Sequence, residues 1–222
     1  MIALAGLCLI TGSAQGQGFV NLDFESGRVV SHDPTFGWLD WNIAAPGWSH
    51  SSGSSTSEIY YKSGHFGATQ LYMLYDSLSP SYSPGALEGN YSMGFSNGIF
   101  SPIIDEEVMT QAYLSQTGTI TGDIKSIAFL GTGNFQIFMN NVPIHVESVG
   151  GNAFVGDVSA FAGTVSEFKI VNLALGPGQP VVVDRIQFST QAVPEPCMLS
   201  LVTVGACLAW HERRKCKATR QS

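Results

Sequence analysis

The chain has 222 residues, a formal net charge of −7 and only 12% charged residues, with 25 Gly and 25 Ser. A hydrophobic share of 44% excludes wholesale disorder. The acidic balance excludes a nucleic-acid partner, which needs a basic face, and the low charge with abundant Gly and Ser points to short strands joined by turns.

Residues 1–16 open with an apolar run, Ile2 to Ile10, and pass into small residues. This pattern reads as a secretory signal peptide cleaved after Ala14 or Gly16. The run is about half of the roughly 20 residues that a membrane span needs.

Residues 17–192 form the body, and its patterns are those of strands. Val20, Leu22 and Phe24 alternate with Asn21, Asp23 and Glu25, which predicts a first strand with one apolar face. Further strands are expected over 57–62, 70–76, 89–95, 108–116 and 124–130. Phe135, Ile137 and Met139 make one alternating set, and Val142, Ile144 and Val146 make the next. Asn140-Asn141 between them tolerates positive φ and suits a two-residue hairpin turn. Asp157 to Gly163 reads as a helix of two turns at most, with Asp as N-cap and Gly as stop. Strands over 165–173 and 181–189 complete the body. About ten strands with Gly or Pro in the gaps predict an all-β, two-sheet antiparallel sandwich.

Asn21-Leu22-Asp23-Phe24-Glu25-Ser26-Gly27, followed by Pro46-Gly47-Trp48, resembles the first strand and loop of galactose-binding-like jelly rolls. Val183-Asp184-Arg185-Ile186-Gln187-Phe188 is similar to the last strand of that group. The resemblance implies a jelly roll in which the first and last strands lie close together, as in many carbohydrate-binding modules.

The C-terminal end, 193–217, has three parts. Val193, Pro194, Glu195 and Pro196 come first, then an apolar stretch from Cys197 to Trp210, then a basic cluster containing Arg213 and Arg214. Those 14 apolar residues make a short helix of about 21 Å against a hydrocarbon core of about 30 Å. With basic residues just beyond, this suits a transient stop in the inner membrane during export. The order closely resembles the PEP-CTERM sorting signal of exported proteins in Gram-negative bacteria that make exopolysaccharide. The resemblance implies that exosortase, a transpeptidase-like membrane enzyme, recognises the PEP element and removes the tail. The protein would then reach the cell surface or extracellular matrix.

Cysteine follows the same division. Cys8 lies in the signal peptide and Cys197, Cys207 and Cys216 lie in the tail, so the body has no disulfide, no thiolate metal site and no Cys nucleophile. Residues 17–193 hold 15 acids and 5 bases, a net of −10.

Catalytic patterns are weak. Gly94-Phe95-Ser96-Asn97-Gly98 fits a nucleophile elbow, but Ile99-Phe100-Ser101-Pro102 after it is no helix. Asp105-Glu106-Glu107 offers carboxylates, yet neighbours in a strand point to opposite faces. His32, His50, His65 and His145 show no zinc spacing. Aromatics are denser, and the loop residues Trp41, Trp48 and Tyr82 are expected either to stack on sugar rings or to pack in the body.

In the last strand Asp184 shares its register with Val182, Ile186 and Phe188, so its carboxylate needs a partner. The jelly-roll resemblance implies a structural calcium ion held by Glu25 and Asp184, with Asp23 or backbone carbonyls completing the shell. The alternative is that Asp184 bonds backbone amides or pairs with a base such as Arg28. Together these readings give an exported, exosortase-processed, non-catalytic surface or matrix protein that binds polysaccharide through loop aromatics. The alternative is a secreted carbohydrate-active hydrolase with an acid pair that spacing does not reveal.

Overall fold

The computed structural model describes residues 18–29, 37–51, 58–61, 71–76, 86–100, 108–176 and 179–193. The expected signal peptide (residues 1–16), Tyr82, the acids 105–107, His32, His65 and the tail from Pro194 onward, with Glu195, Pro196, Arg213 and Arg214, lie outside these residues. The chain divides into two compact units, Met1–Ala192 and Val193–Ser222, and the sheets belong to the first.

Strand β1 (Trp38–Asp40) leads into one helical turn, α1 (Trp41–Ala44), and then β2 (Ser49–His50). Next come β3 (Glu58–Tyr61), β4 (Leu71–Asp76), β5 (Tyr91–Ser96), β6 (Gly98–Phe100) and β7 (Val108–Thr110). They are followed by β8 (Tyr113–Thr119), β9 (Ser126–Thr132), β10 (Phe135–Met139), β11 (Val142–Ile144), β12 (Val146–Gly150) and β13 (Ala153–Asp157). A 3-10 turn, Ser159–Phe161, precedes β14 (Val165–Asn172) and β15 (Val181–Ser189).

Among the described residues these strands make an eight-stranded sheet, β1-β3-β4-β5-β15-β9-β13-β12, and a five-stranded sheet, β11-β10-β14-β8-β2. A small β6-β7 pair stands apart. The protein is an all-β two-sheet sandwich, antiparallel except where β3 runs parallel to β4. Alternation explains the layers: in β14, Ser166, Phe168 and Ile170 point inward while Glu167 and Lys169 point outward. Phe168 meets Phe188 of β15 at 6.4 Å between ring centroids, and Phe135 meets Phe129 of β9 at 5.5 Å, so the sheets share one core. Phe168 and Phe188 are fully buried, and each such side chain contributes about 1.5–3 kcal/mol.

The Asn140-Asn141 turn is as its residue types predict, with φ of 50° and 63° and Met139 opposite Val142. Four expectations need correction. Residues 108–116 are not one strand, since β7 pairs with β6 while β8 belongs to the five-stranded sheet. Residues 20–24 are not a strand, because local side-chain bonds win over a ladder: Asn21 Oδ1 accepts from Ser26 N at 2.8 Å, and Asn21 and Phe24 have φ of 50° and 56°. This turn-rich segment nevertheless lies beside β15, where Ile186 N donates to Leu22 O at 2.9 Å and Phe19 packs on Phe188 at 4.9 Å. Val142, Ile144 and Val146 do not form one strand, since the chain leaves the five-stranded sheet at His145 and enters the eight-stranded one. Gly156 makes room for that crossing, as a Cβ there would sit 2.9 Å from His145 O. The expected helix after Asp157 is a single 3-10 turn, which the Asp157 carboxylate caps by accepting from Ser159 N at 2.8 Å.

Candidate functional site

Trp41 and Trp48 are core residues, and the expectation of a loop platform is corrected. Each is 4% exposed, so neither offers a ring face to a ligand. Trp41 Nε1 donates to Trp48 O at 2.7 Å, and Trp48 Nε1 donates to Asn21 O at 2.9 Å. Satisfied indole N–H groups let both rings be buried at little polar cost. Trp48 stacks on Phe24 at 5.2 Å, while Trp41 packs on His50 at 4.3 Å and Tyr72 at 5.2 Å. The Tyr72 hydroxyl donates to Tyr113 O at 3.2 Å, accepts from Ser51 N and shares a 2.6 Å bond with Ser51 Oγ. Burial pushes that phenol up to about 12, so it stays neutral.

Glu25 and Asp184 do come together, on the turn that precedes β5. Asp184, 1% exposed, accepts at Oδ2 from Ser92 Oγ (2.6 Å) and Glu88 N (3.0 Å), and at Oδ1 from Arg185 N (2.7 Å). Glu25 accepts at Oε1 from Asn90 N (2.6 Å) and Tyr91 N (2.9 Å), and at Oε2 from Asn90 Nδ2 (2.7 Å). A Cβ on Gly89 would collide with Glu25 Oε1, and Gly89 has φ of +62°, so the turn needs glycine for both shape and space. Burial, with the Glu25 charge adding to it, pushes the Asp184 carboxyl up to about 6. Arg185 stands at a bulge with φ of 47° and reaches Glu88 Oε2 at 2.6 Å.

This donor set does not fit calcium. The groups facing both carboxylates are N–H and O–H donors, whereas the ion wants six to eight oxygens. Asp23 turns to Glu25 N at 3.3 Å instead of joining them. Among the described residues no group of three or more His, Cys, Asp or Glu is placed to hold a metal. Ser96, the central residue of the elbow-like motif, is 0% exposed in a strand, where no substrate reaches its hydroxyl.

The outward face of the five-stranded sheet carries aromatics that sequence reasoning missed. Register places Pro143, Phe138, Lys169, Ser115 and Ser49 in one row across the strands, with Gln136, Val171 and Tyr113 in the next. Phe138 and Tyr113 are half-buried, and two strand spacings put them about 10 Å apart laterally. Lys169 stands between them, its Nζ 5.2 Å from the Tyr113 ring centroid, 3.3 Å from Glu167 Oε2 and 3.0 Å from Asn141 Oδ1. Thr117 and Ser49 add exposed hydroxyls to the face. Flat apolar rings bordered by hydroxyls and a neutralised ion pair suit a ligand that is apolar on one face and hydroxylated at its edges. The signal was present in the pattern, since Phe138 lies out of phase with Phe135, Ile137 and Met139.

No family model and no curated protein matches the chain. Among solved structures, it is similar to that of TmCBM61 in complex with β-1,4-galactotriose, at 15% identity and a TM-score of 0.36, over 78% of this chain and 98% of that one. At that identity and score no residue role is carried over.

Proposed function

We propose that the protein is an exported, non-catalytic surface or matrix component that binds polysaccharide on the outward face of the five-stranded sheet. The observation that supports this reading is the pair Tyr113 and Phe138, half-exposed on a sheet face whose other side fills the core. Sugar rings stack on such faces through their C–H edges while hydroxyls bond at the rim. The carboxylates Glu25 and Asp184, engaged by backbone amides and Ser92, act as structural anions and leave catalysis without a free acid pair there. The test is affinity electrophoresis of the full chain through gels containing polysaccharide. Tyr113→Ala and Phe138→Ala are each expected to abolish retardation with the fold intact. Retardation that survives both changes removes this face from the reading.

Sorting belongs to the same proposal. The PEP element, Val193 to Pro196, the apolar stretch and Arg213 and Arg214 support removal of the tail by exosortase during passage through the inner membrane. The mature protein then resides at the cell surface or in the exopolysaccharide matrix. Mass spectrometry of surface-located protein tests this, because recovery of a peptide containing Arg213 or Arg214 sinks the idea. Glu195→Ala is expected to leave the precursor in the inner membrane.

A further inference from the structure

Charge on the same face narrows the ligand, and this step rests on the polysaccharide reading above. Among the described outward side chains of the five-stranded sheet, Lys169 is the one cation. It is already answered by Glu167 Oε2 at 3.3 Å, by Asn141 Oδ1 at 3.0 Å and by the Tyr113 ring. Elsewhere Arg185 is held by Glu88 Oε2 at 2.6 Å. Residues 17–193 as a whole hold 15 acids against 5 bases.

We propose that the face takes a neutral polysaccharide, a polymer of hydroxyl-bearing sugars without carboxylate, phosphate, sulfate or pyruvate groups. A polyanion gains affinity by meeting unpaired cations and releasing its counterions, and the one cation among the described outward side chains of this sheet, Lys169, is committed to Glu167 and Asn141. It would also approach a body whose negative field reaches about 8 Å at physiological ionic strength and about 30 Å at 0.01 M. A neutral glycan meets no such barrier. It needs ring faces, which Tyr113 and Phe138 supply, and partners for its hydroxyls, which Thr117, Ser49 and the second oxygen of Glu167 supply.

The experiment is retardation of the full chain in gels holding neutral polymers (a β-glucan, a galactan, a mannan) or polyanions (alginate, polygalacturonate), at low and at physiological ionic strength. The expected result is retardation by at least one neutral polymer and none by the polyanions. Salt should change the neutral affinity by less than about twofold, because no charge pairing contributes. Tyr113→Ala should weaken it at least about tenfold, as loss of a central aromatic anchor does. Phe138→Ala serves the same purpose if Tyr113→Ala fails to fold. Retardation by polyanions alone, fading as salt rises, overturns the neutral assignment and leaves the polysaccharide reading standing. Retardation by no polymer overturns both.

Discussion

Glu25 and Asp184 hold one turn from its two ends: Asp184 takes the amide of Glu88, and Glu25 takes those of Asn90 and Tyr91. Glu25 comes from the turn-rich segment at the start of the body and Asp184 from β15, so segments far apart in sequence meet at β5. The carboxylates replace the ladder bonds that the opening segment, lacking strand geometry, does not make.

Glu25→Ala removes three acceptor contacts and leaves the amides of Asn90 and Tyr91 without that partner. Charge-assisted bonds contribute about 1.5–3 kcal/mol each, and partial hydration of this half-exposed site lowers the total. The expected loss is about 2 kcal/mol, read as a lower urea midpoint with an unchanged slope.

Asp184 gives the protein a pH dependence of opposite sign to the usual carboxylate. Its folded value of about 6 lies above the ordinary 3.8, so the folded state holds a proton that the unfolded state releases. The stabilisation is complete below about pH 4 and disappears as pH rises through about 6. A shift of that size corresponds to at most roughly 3 kcal/mol. Asp157, held below 3.8 by its bonds to Ser159, acts in the other direction only at more acid pH. Urea midpoints between pH 7 and pH 4 should therefore rise as pH falls, and Asp184→Asn should flatten that slope.

Calcium should not stabilise the fold, since the carboxylates already face N–H and O–H donors. Differential scanning calorimetry of the full chain should give the same midpoint in millimolar calcium and in EDTA. A rise in calcium that Glu25→Gln abolishes would show that the ion displaces those donors.

Trp48→Ala is expected to cost about 3–5 kcal/mol, because it empties a packed site against Phe24 and Phe168. Tyr113→Ala, half-exposed on the sheet face, should cost about 1 kcal/mol or less. Equal losses in equilibrium unfolding would contradict the division into core and surface aromatics.

The parts of the fold legible from the residues are those where neighbours in sequence decide the outcome. Asn140-Asn141 turns because Asn tolerates left-handed backbone, 165–173 holds a strand in which Phe168 and Ile170 alternate with Glu167 and Lys169, and 181–189 opens with a β-branched run, Val181 to Val183, buried on both faces. Residues 20–24 misled for a physical reason: their alternation was genuine, but Asn21 and Asp23 bond nearby amides and curl the chain. Trp41 and Trp48 could not be placed from sequence, because the carbonyls that satisfy their indoles belong to turns at Trp48 and Asn21 whose geometry is set by the packed core. The facing of Glu25 toward Asn90 has the same origin, as those residues meet only after β15 and β5 are paired.

Asn97 lies at the end of β5 with both ends of its carboxamide committed: Oδ1 accepts from Ala112 N at 2.8 Å, and Nδ2 donates to Ala174 O at 2.8 Å and Asn172 O at 3.2 Å. It is followed by Gly98, and an Asn-Gly pair ages chemically when the next backbone nitrogen swings onto the side-chain carbonyl and expels ammonia. These three bonds hold the carboxamide away from that attack, and the residue is 2% exposed. Deamidation here therefore proceeds through unfolded molecules, and the aspartate it leaves would face two carbonyl oxygens and hinder their return. The stability of the sandwich therefore sets the pace of chemical ageing at Asn97.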